Sequence, residues 1–267
     1  MQNILKTYGL YIKVFFKAKS EYKVGFIAGI FANFYSYVLT FFTFWIIVNR
    51  FEDIAGWVFE DMSLLYGLNL FSYAVAGVLV WYSVYHLERE ITTGRLDLYL
   101  TRPMNVLGQL ICSRFGETFI GQIIVTFIFL INALLHYRER MNIFIVVYIF
   151  FAVIGAVLFQ MGAMIIIGAM SFWTLRSDKI GDILYYYLRS LTYYPLEIYP
   201  RWIKFLLTFI VPWAFINYYP SLIILRKAVT GWEYCFGYAA PVLGILFFIF
   251  SIWFFNKGLN HYTSSGS

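Results

Sequence analysis

The chain has 267 residues, of which 61% are hydrophobic, 22% aromatic and 13% charged, with a formal net charge of +6. A soluble domain carries about 25% charged residues, and this composition has too little polar surface to cover a soluble fold, while its wealth of Leu, Ile, Val and Phe excludes disorder. What remains is an integral membrane protein, in which surplus Lys and Arg set topology rather than bind nucleic acid.

Residues 1–23 carry Lys6, Lys13, Lys17, Lys19 and Lys23, interleaved with Ile4, Leu5, Tyr8, Ile12, Phe15 and Phe16. That spacing predicts an amphipathic helix lying on an anionic cytoplasmic leaflet. The stretch lacks the short apolar core and small-residue cleavage site of a removable signal peptide. Six runs then contain no Asp, Glu, Lys or Arg: 24–49, 62–87, 118–137, 142–175, 205–225 and 234–256. Each reaches the ~20 residues that cross a hydrocarbon core, and none alternates as a membrane barrel strand does. The expectation is an all-α membrane protein with six transmembrane helices.

The five N-terminal lysines assign the N-terminus to the cytoplasm. Span 1 covers about 24–48, and the acidic loop 50–61 lies outside. Span 2, about 62–86, returns to an inner segment at 86–105. Asn105 is placed to cap one long helix running from Val106 to His136, which contains span 3 at about 108–136. Span 4, about 142–173, leads to an inner loop at 175–182, and span 6, about 237–255, ends near Lys257. Both termini are then cytoplasmic. Cys112 and Cys235 fall at opposite ends of this bundle, which argues against a disulfide. The tail 258–267, closing in TSSGS, is set aside as without function.

Span 5 has two readings. The uncharged run 205–225 keeps fifteen of the twenty Lys and Arg inside. Pro212 and Pro220 break that run, however, and suit a hairpin that dips into the membrane and returns. In that case 179–194 spans, 196–226 is the hairpin, and Arg189 lies within the membrane.

No catalytic set is visible. GxxxxGK[ST], GxSxG and HExxH are absent, and the three histidines are scattered. No metal-ligand spacing occurs, and neither a catalytic residue nor a cofactor is assigned to this chain. Arg114 and Glu117 are three apart on span 3 and are expected to pair near its inner end. The densest polar segment is HLEREITTGRLDLYLTRPMN, 86–105. Gly94 can end the helix that continues span 2, and Arg102 before Pro103 disfavours helix. The pattern predicts a short transverse helix between two breaks, its leucines turned inward.

The stretch ITTGRLDLYLTRPMNVL, followed at 194–225 by YPLEIYPRWIKFLLTFIVPWAFINYYPSLIIL, resembles the ABC-2 type transporter permease family, in particular its small six-span exporter subfamily. The resemblance implies the transmembrane subunit of an exporter in the bacterial cytoplasmic membrane, multi-pass, with both termini cytoplasmic. It implies a dimer with a second permease subunit, identical or different, and a separate ATPase subunit that carries ATP and Mg. Residues 1–23 would be the elbow helix and 24–257 the transmembrane domain. The re-entrant outer hairpin, 196–226, would lie between spans 5 and 6. An ATPase-coupling segment would contain Glu88, Arg89, Glu90, Gly94, Arg95, Leu96, Asp97, Leu100, Arg102 and Pro103. Arg189 and Tyr186 are candidates for the path of a hydrophobic or amphipathic cargo, as in multidrug or peptide efflux. A non-transporting sensor or immunity subunit bound to an ATPase, and an intramembrane lipid-modifying enzyme, stand as alternatives.

Overall fold

The computed structural model describes residues 2–51, 53–174, 179 and 181–263. Most of the loop expected at 175–182, the last four residues of the tail, and the side chains of Ile4 and Leu5 lie outside the described residues. Everything described is helix, turn or loop, apart from one isolated bridge between Ile54 and Trp57.

The first helix, α1 (Gln2–Glu21), is followed at once by α2 (Lys23–Val48). Helix α3 (Phe59–Val80) passes through a π turn (Trp81–Tyr85) into α4 (Leu87–Thr92). Next come α5 (Leu96–Leu100), α6 (Val106–Ser113), α7 (Phe119–His136) and α8 (Ile143–Met170). A π turn (Asp182–Tyr187), one turn of α9 (Leu188–Ser190) and a 3-10 turn (Leu191–Tyr193) form an irregular helical stretch. The rest is α10 (Arg201–Phe205) with its π turn Leu206–Ile210, then α11 (Tyr218–Ile224) and α12 (Gly231–His261).

Among the described residues, five stretches are long and apolar enough to cross a membrane: Lys23–Val48, Phe59–Thr92, Phe119–His136, Ile143–Phe172 and Gly231–His261. These match spans 1, 2, 3, 4 and 6, with α12 longer than the expected 237–255 at both ends. Its C-terminal extension takes in residues 258–261, which had been set aside as tail. Of the stretch expected as span 5, 179–194, the described residues are helical at 179 and 181–193. It stops because Tyr194 is extended and precedes Pro195. Beyond it, Arg201–Ile210 and Trp213–Ile224 form a pair bent by 76° at Val211 and Pro212.

The long helix expected from Val106 to His136 is two helices. Asn105 does cap the first, its Oδ1 accepting from the Gly108 N–H at 2.9 Å. At Arg114 the backbone turns extended (φ −148°, ψ 131°). The break is held by tertiary contacts. Phe115 packs on Phe15 and Phe16 of α1, and the Gly116 N–H donates to the Val78 carbonyl at 2.8 Å.

Helix α3 is the centre of the bundle. Nearly every residue from Asp61 to Gly77 is buried, against α7 on one side and α8 on the other. Helix α12 packs along α8, with Phe159 and Phe247 stacked at 4.2 Å. Helix α2 is peripheral, with only Phe44 and Val48 buried. At the end away from the termini, the buried Asp61 carboxylate ties three loops. It accepts from Tyr137 Oη (2.6 Å) and the Val58 N–H (3.1 Å), and pairs with Lys227 (2.8 Å). Burial, then the Asp61 contact, pushes the Tyr137 phenol above its ordinary range, which keeps it a donor.

Gly168 of α8 lies against the π turn of α3. A Cβ there would collide with the Val84 carbonyl oxygen, which the surrounding helices cannot move aside. Gly168→Ala is therefore expected to cost about 1–3 kcal/mol by overpacking, read as a lower unfolding midpoint in detergent. Gly9→Ala on α1, where nothing lies within 4 Å, is expected to leave the midpoint unchanged or raise it.

Candidate functional site

The polar segment 86–105 sits at the end of the bundle that carries α1 and the C-terminal end of α12. Gly94, at φ +67°, makes the left-handed turn that ends α4, its N–H donating to the Ile91 carbonyl at 3.1 Å. Helix α5 follows as the short helix between two breaks, the second at Arg102 and Pro103. Its leucines are not all turned inward. Leu96 is buried, whereas Leu98 and Leu100 are exposed. A helix advances about 100° per residue, so Leu96 and Leu98 point oppositely; Leu100, one turn on, shares the face of Leu96 but is the last residue of the helix.

Four contacts brace this segment. The buried Gln109 of α6 donates to the carbonyls of Tyr99 (3.0 Å) and Met104 (3.1 Å). Arg102 donates to Tyr11 Oη of α1 and lies over its ring. Tyr262, just past α12, donates to Asp97 Oδ1 at 3.0 Å. Glu90 is buried and pairs with Arg114 at 3.1 Å and Arg95 at 3.6 Å. The expected pair between Arg114 and Glu117 does not form. The extended backbone at Arg114 sends the two side chains apart, and Glu117 takes Lys19 of α1 instead. Glu88 is half-buried; Arg89, Arg102 and Pro103 are exposed on the outer face of the segment.

The second cluster is interior. Arg189 is 3% exposed and donates to Asn69 Oδ1 (3.2 Å) and Tyr193 Oη (3.0 Å). Its guanidinium lies 4.1 Å from the Tyr73 ring centroid and 5.3 Å from that of Tyr185. Among the described residues no carboxylate pairs with it. Asn69 Nδ2 donates to Thr192 Oγ1 at 2.9 Å, and Gln160 Nε2 to the Asn69 carbonyl at 3.3 Å. Asn217, from the bent pair, donates to the carbonyls of Leu65 (3.0 Å) and Thr192 (2.6 Å). Tyr186 sits at the edge of this cluster, part-exposed, with its ring against Trp81.

Sequence reasoning placed Arg189 and the polar segment but missed Gln109, Asn69, Gln160, Asn217, Tyr11 and Tyr262. The first four carry a readable signal, since amide side chains inside uncharged apolar stretches require partners. The two tyrosines carry none in a chain with 23 of them. Among the described residues no three His, Cys, Asp or Glu side chains group to hold a metal ion.

A family model described as "ABC-2 family transporter protein" matches residues 34–266. Comparison with curated proteins and with solved structures gave no match.

Removing the charge of Glu90 leaves Arg114 and Arg95 facing a neutral group. Glu90→Gln is expected to lower stability by about 1–2 kcal/mol, tempered by the part-exposure of both arginines. In a double-mutant cycle with Arg114→Gln, melting in detergent is expected to give a coupling energy near ~1 kcal/mol. Strict additivity would show that the pair carries no stability.

Proposed function

The chain belongs to the ABC-2 transporter family and is a multi-pass membrane component of a transporter, and we propose that it is the permease subunit of an exporter driven by a separate ATPase. Family membership implies association with an ABC ATPase subunit. The observation that carries the finer reading is the presentation of α5. Leu98 and Leu100 are exposed on a five-residue helix fixed by Gln109, Tyr11, Tyr262 and Glu90. Exposed leucines on a braced, charge-flanked helix suit a protein partner better than solvent. The ATPase docks there, with Arg89, Arg95 and Asp97 supplying polar contacts. Its closure on ATP moves α5, and through α4 the motion reaches α3.

The same reading places this end, with both termini, in the cytoplasm of a bacterium. Helix α1 is then the elbow helix on the inner leaflet. The bent pair is the re-entrant outer hairpin. In support, its entry lies near α12's outer end, where Glu197 and Lys204 share a cleft with Trp232 and Glu233. Its exit lies near the α7–α8 loop, where the Leu225 carbonyl accepts from Arg140 at 3.2 Å. Helix α2, bare along most of its length, faces lipid or a second permease. The cargo is hydrophobic or amphipathic, and Arg189 with Tyr186 borders its path.

Leu98→Asp and Leu100→Asp are expected to leave the fold intact and to reduce co-purification of the ATPase by tenfold or more. Retention of the ATPase by both variants would remove α5 from the docking surface. For topology, cysteines introduced as Arg201→Cys and Lys204→Cys are expected to react with an impermeant reagent applied outside. Reaction only after permeabilisation would make 205–225 a span instead.

A further inference from the structure

At the end of the bundle opposite the termini, α8, α11 and α12 leave a cleft of about 360 Å³, lined in part by Asn142, Phe144, Tyr148, Arg226, Tyr234 and Tyr238. Arg226 is exposed, and one Nη donates to the Arg140 carbonyl at 3.3 Å. That uses one of the five N–H groups of a guanidinium. Among the described residues no carboxylate lies within ion-pair distance of Arg226 or of Arg140 behind it. The nearby Glu233 is committed to capping α12, accepting from the N–H groups of Val229 (2.8 Å) and Thr230 (3.0 Å). Lys227 is committed to Asp61. Arg226 is therefore a guanidinium without a carboxylate partner among the described residues, in a corner rich in donors. Asn142 keeps its amide NH2 free while its Oδ1 caps α8, accepting from the Ile145 N–H at 2.9 Å. The tyrosine hydroxyls of 234 and 238 add two donors, both on exposed residues.

The other half of the cleft is apolar and continuous with a membrane-facing surface. Phe144 is 81% exposed, and Ile143 beside it, with Val147 on α8 and Val242 and Leu246 on α12, extends the apolar face down the bundle. A free phosphate has no use for that wall. An acyl chain does, and contributes about 0.8 kcal/mol per buried CH₂. A zwitterionic head would bring a second cation to the corner beside Arg226, where an anionic head brings none. We propose that this cleft seats the headgroup of an anionic phospholipid, its phosphate on Arg226 and its chains along α8 and α12.

The test is lipid retention by the purified full-length chain in neutral detergent, counted by native mass spectrometry. Phosphatidylglycerol is expected to stay bound at one per chain about tenfold more avidly than phosphatidylcholine. Because Arg226 sits at φ +56°, Arg226→Asn is the suitable variant, since Asn tolerates that conformation. It is expected to reduce retention about tenfold. Phe144→Glu, which sets a carboxylate at the mouth without touching Arg226, is expected to do the same. Lys13→Gln with Lys17→Gln, on α1 at the other end, is expected to leave this component unchanged. Equal retention of both lipids, or wild-type retention by Arg226→Asn and Phe144→Glu, overturns the proposal. Loss on changing the α1 lysines also overturns it. So does displacement by inorganic phosphate alone, which would mark a free-phosphate pocket.

Discussion

Inside a hydrocarbon layer every polar group must find its partner within the protein, and Asn69 is where that requirement is most concentrated. Its side-chain oxygen receives Arg189, its amide reaches Thr192, and its own carbonyl accepts from Gln160. Asn217 adds the bent pair to the same knot through Leu65 and Thr192. The stretch 182–193 and the pair after it are irregular, with π and 3-10 turns in place of a regular α-helical ladder. Such backbone is tolerated at membrane depth only where protein surrounds it. The amide network supplies that surrounding, so the irregular segments depend on it.

The continuous stretch of α3, its π turn and α4 carries residues of all three polar clusters. Asp61 ties the loops at one end, Asn69 holds the interior, and Glu90, past the π turn, pairs with Arg114 beneath the polar segment. From Phe59 to Thr92 it is 34 residues, about 51 Å along the axis. A displacement applied at α4 must either shift the whole helix, breaking contacts at Asp61, or bend it at Trp81–Tyr85. The π turn is where bending is cheapest, because the regular ladder of backbone bonds is already interrupted there. Gly168 lets α8 press against that turn, which limits the direction in which it can open.

Much of this was legible in the amino-acid order, and the parts that were not have physical causes. Uncharged runs located five long helices because desolvating a charge is so costly that its absence marks lipid or core. Asn105 and Gly94 were readable as cap and terminator because those functions depend on the residue's own chemistry. The break at Arg114 was not readable. Nothing in SRFGE forbids helix strongly, and the distortion is imposed by Phe15, Phe16 and the Val78 carbonyl from elsewhere in the chain. The pairing of Arg114 with Glu90 follows from that break and was hidden with it. The expected span 179–194 reads as short and polar, and the support that Asn69 and Asn217 give it is visible only in three dimensions.

Arg189 illustrates how such support is assembled. A central arginine costs about 2.5–3.5 kcal/mol on insertion-based scales. Two hydrogen bonds to a charged group, at about 1.5 kcal/mol each, and ring contacts at about 0.5–1 kcal/mol each are of the same size. Among the described residues the charge is thus held without a carboxylate, and its neighbours Tyr73, Tyr185 and Tyr193 offer only π faces and hydroxyls. A carboxylate would have satisfied the arginine more fully, but it would also have cancelled the field. As built, the interior keeps a net positive centre whose least covered neighbour is Tyr186, 37% exposed beside Trp81. In a low-dielectric surrounding that field is weakly screened. On the proposed reading that Arg189 and Tyr186 border the cargo path, such a field would repel cations and favour anionic or electron-rich headgroups.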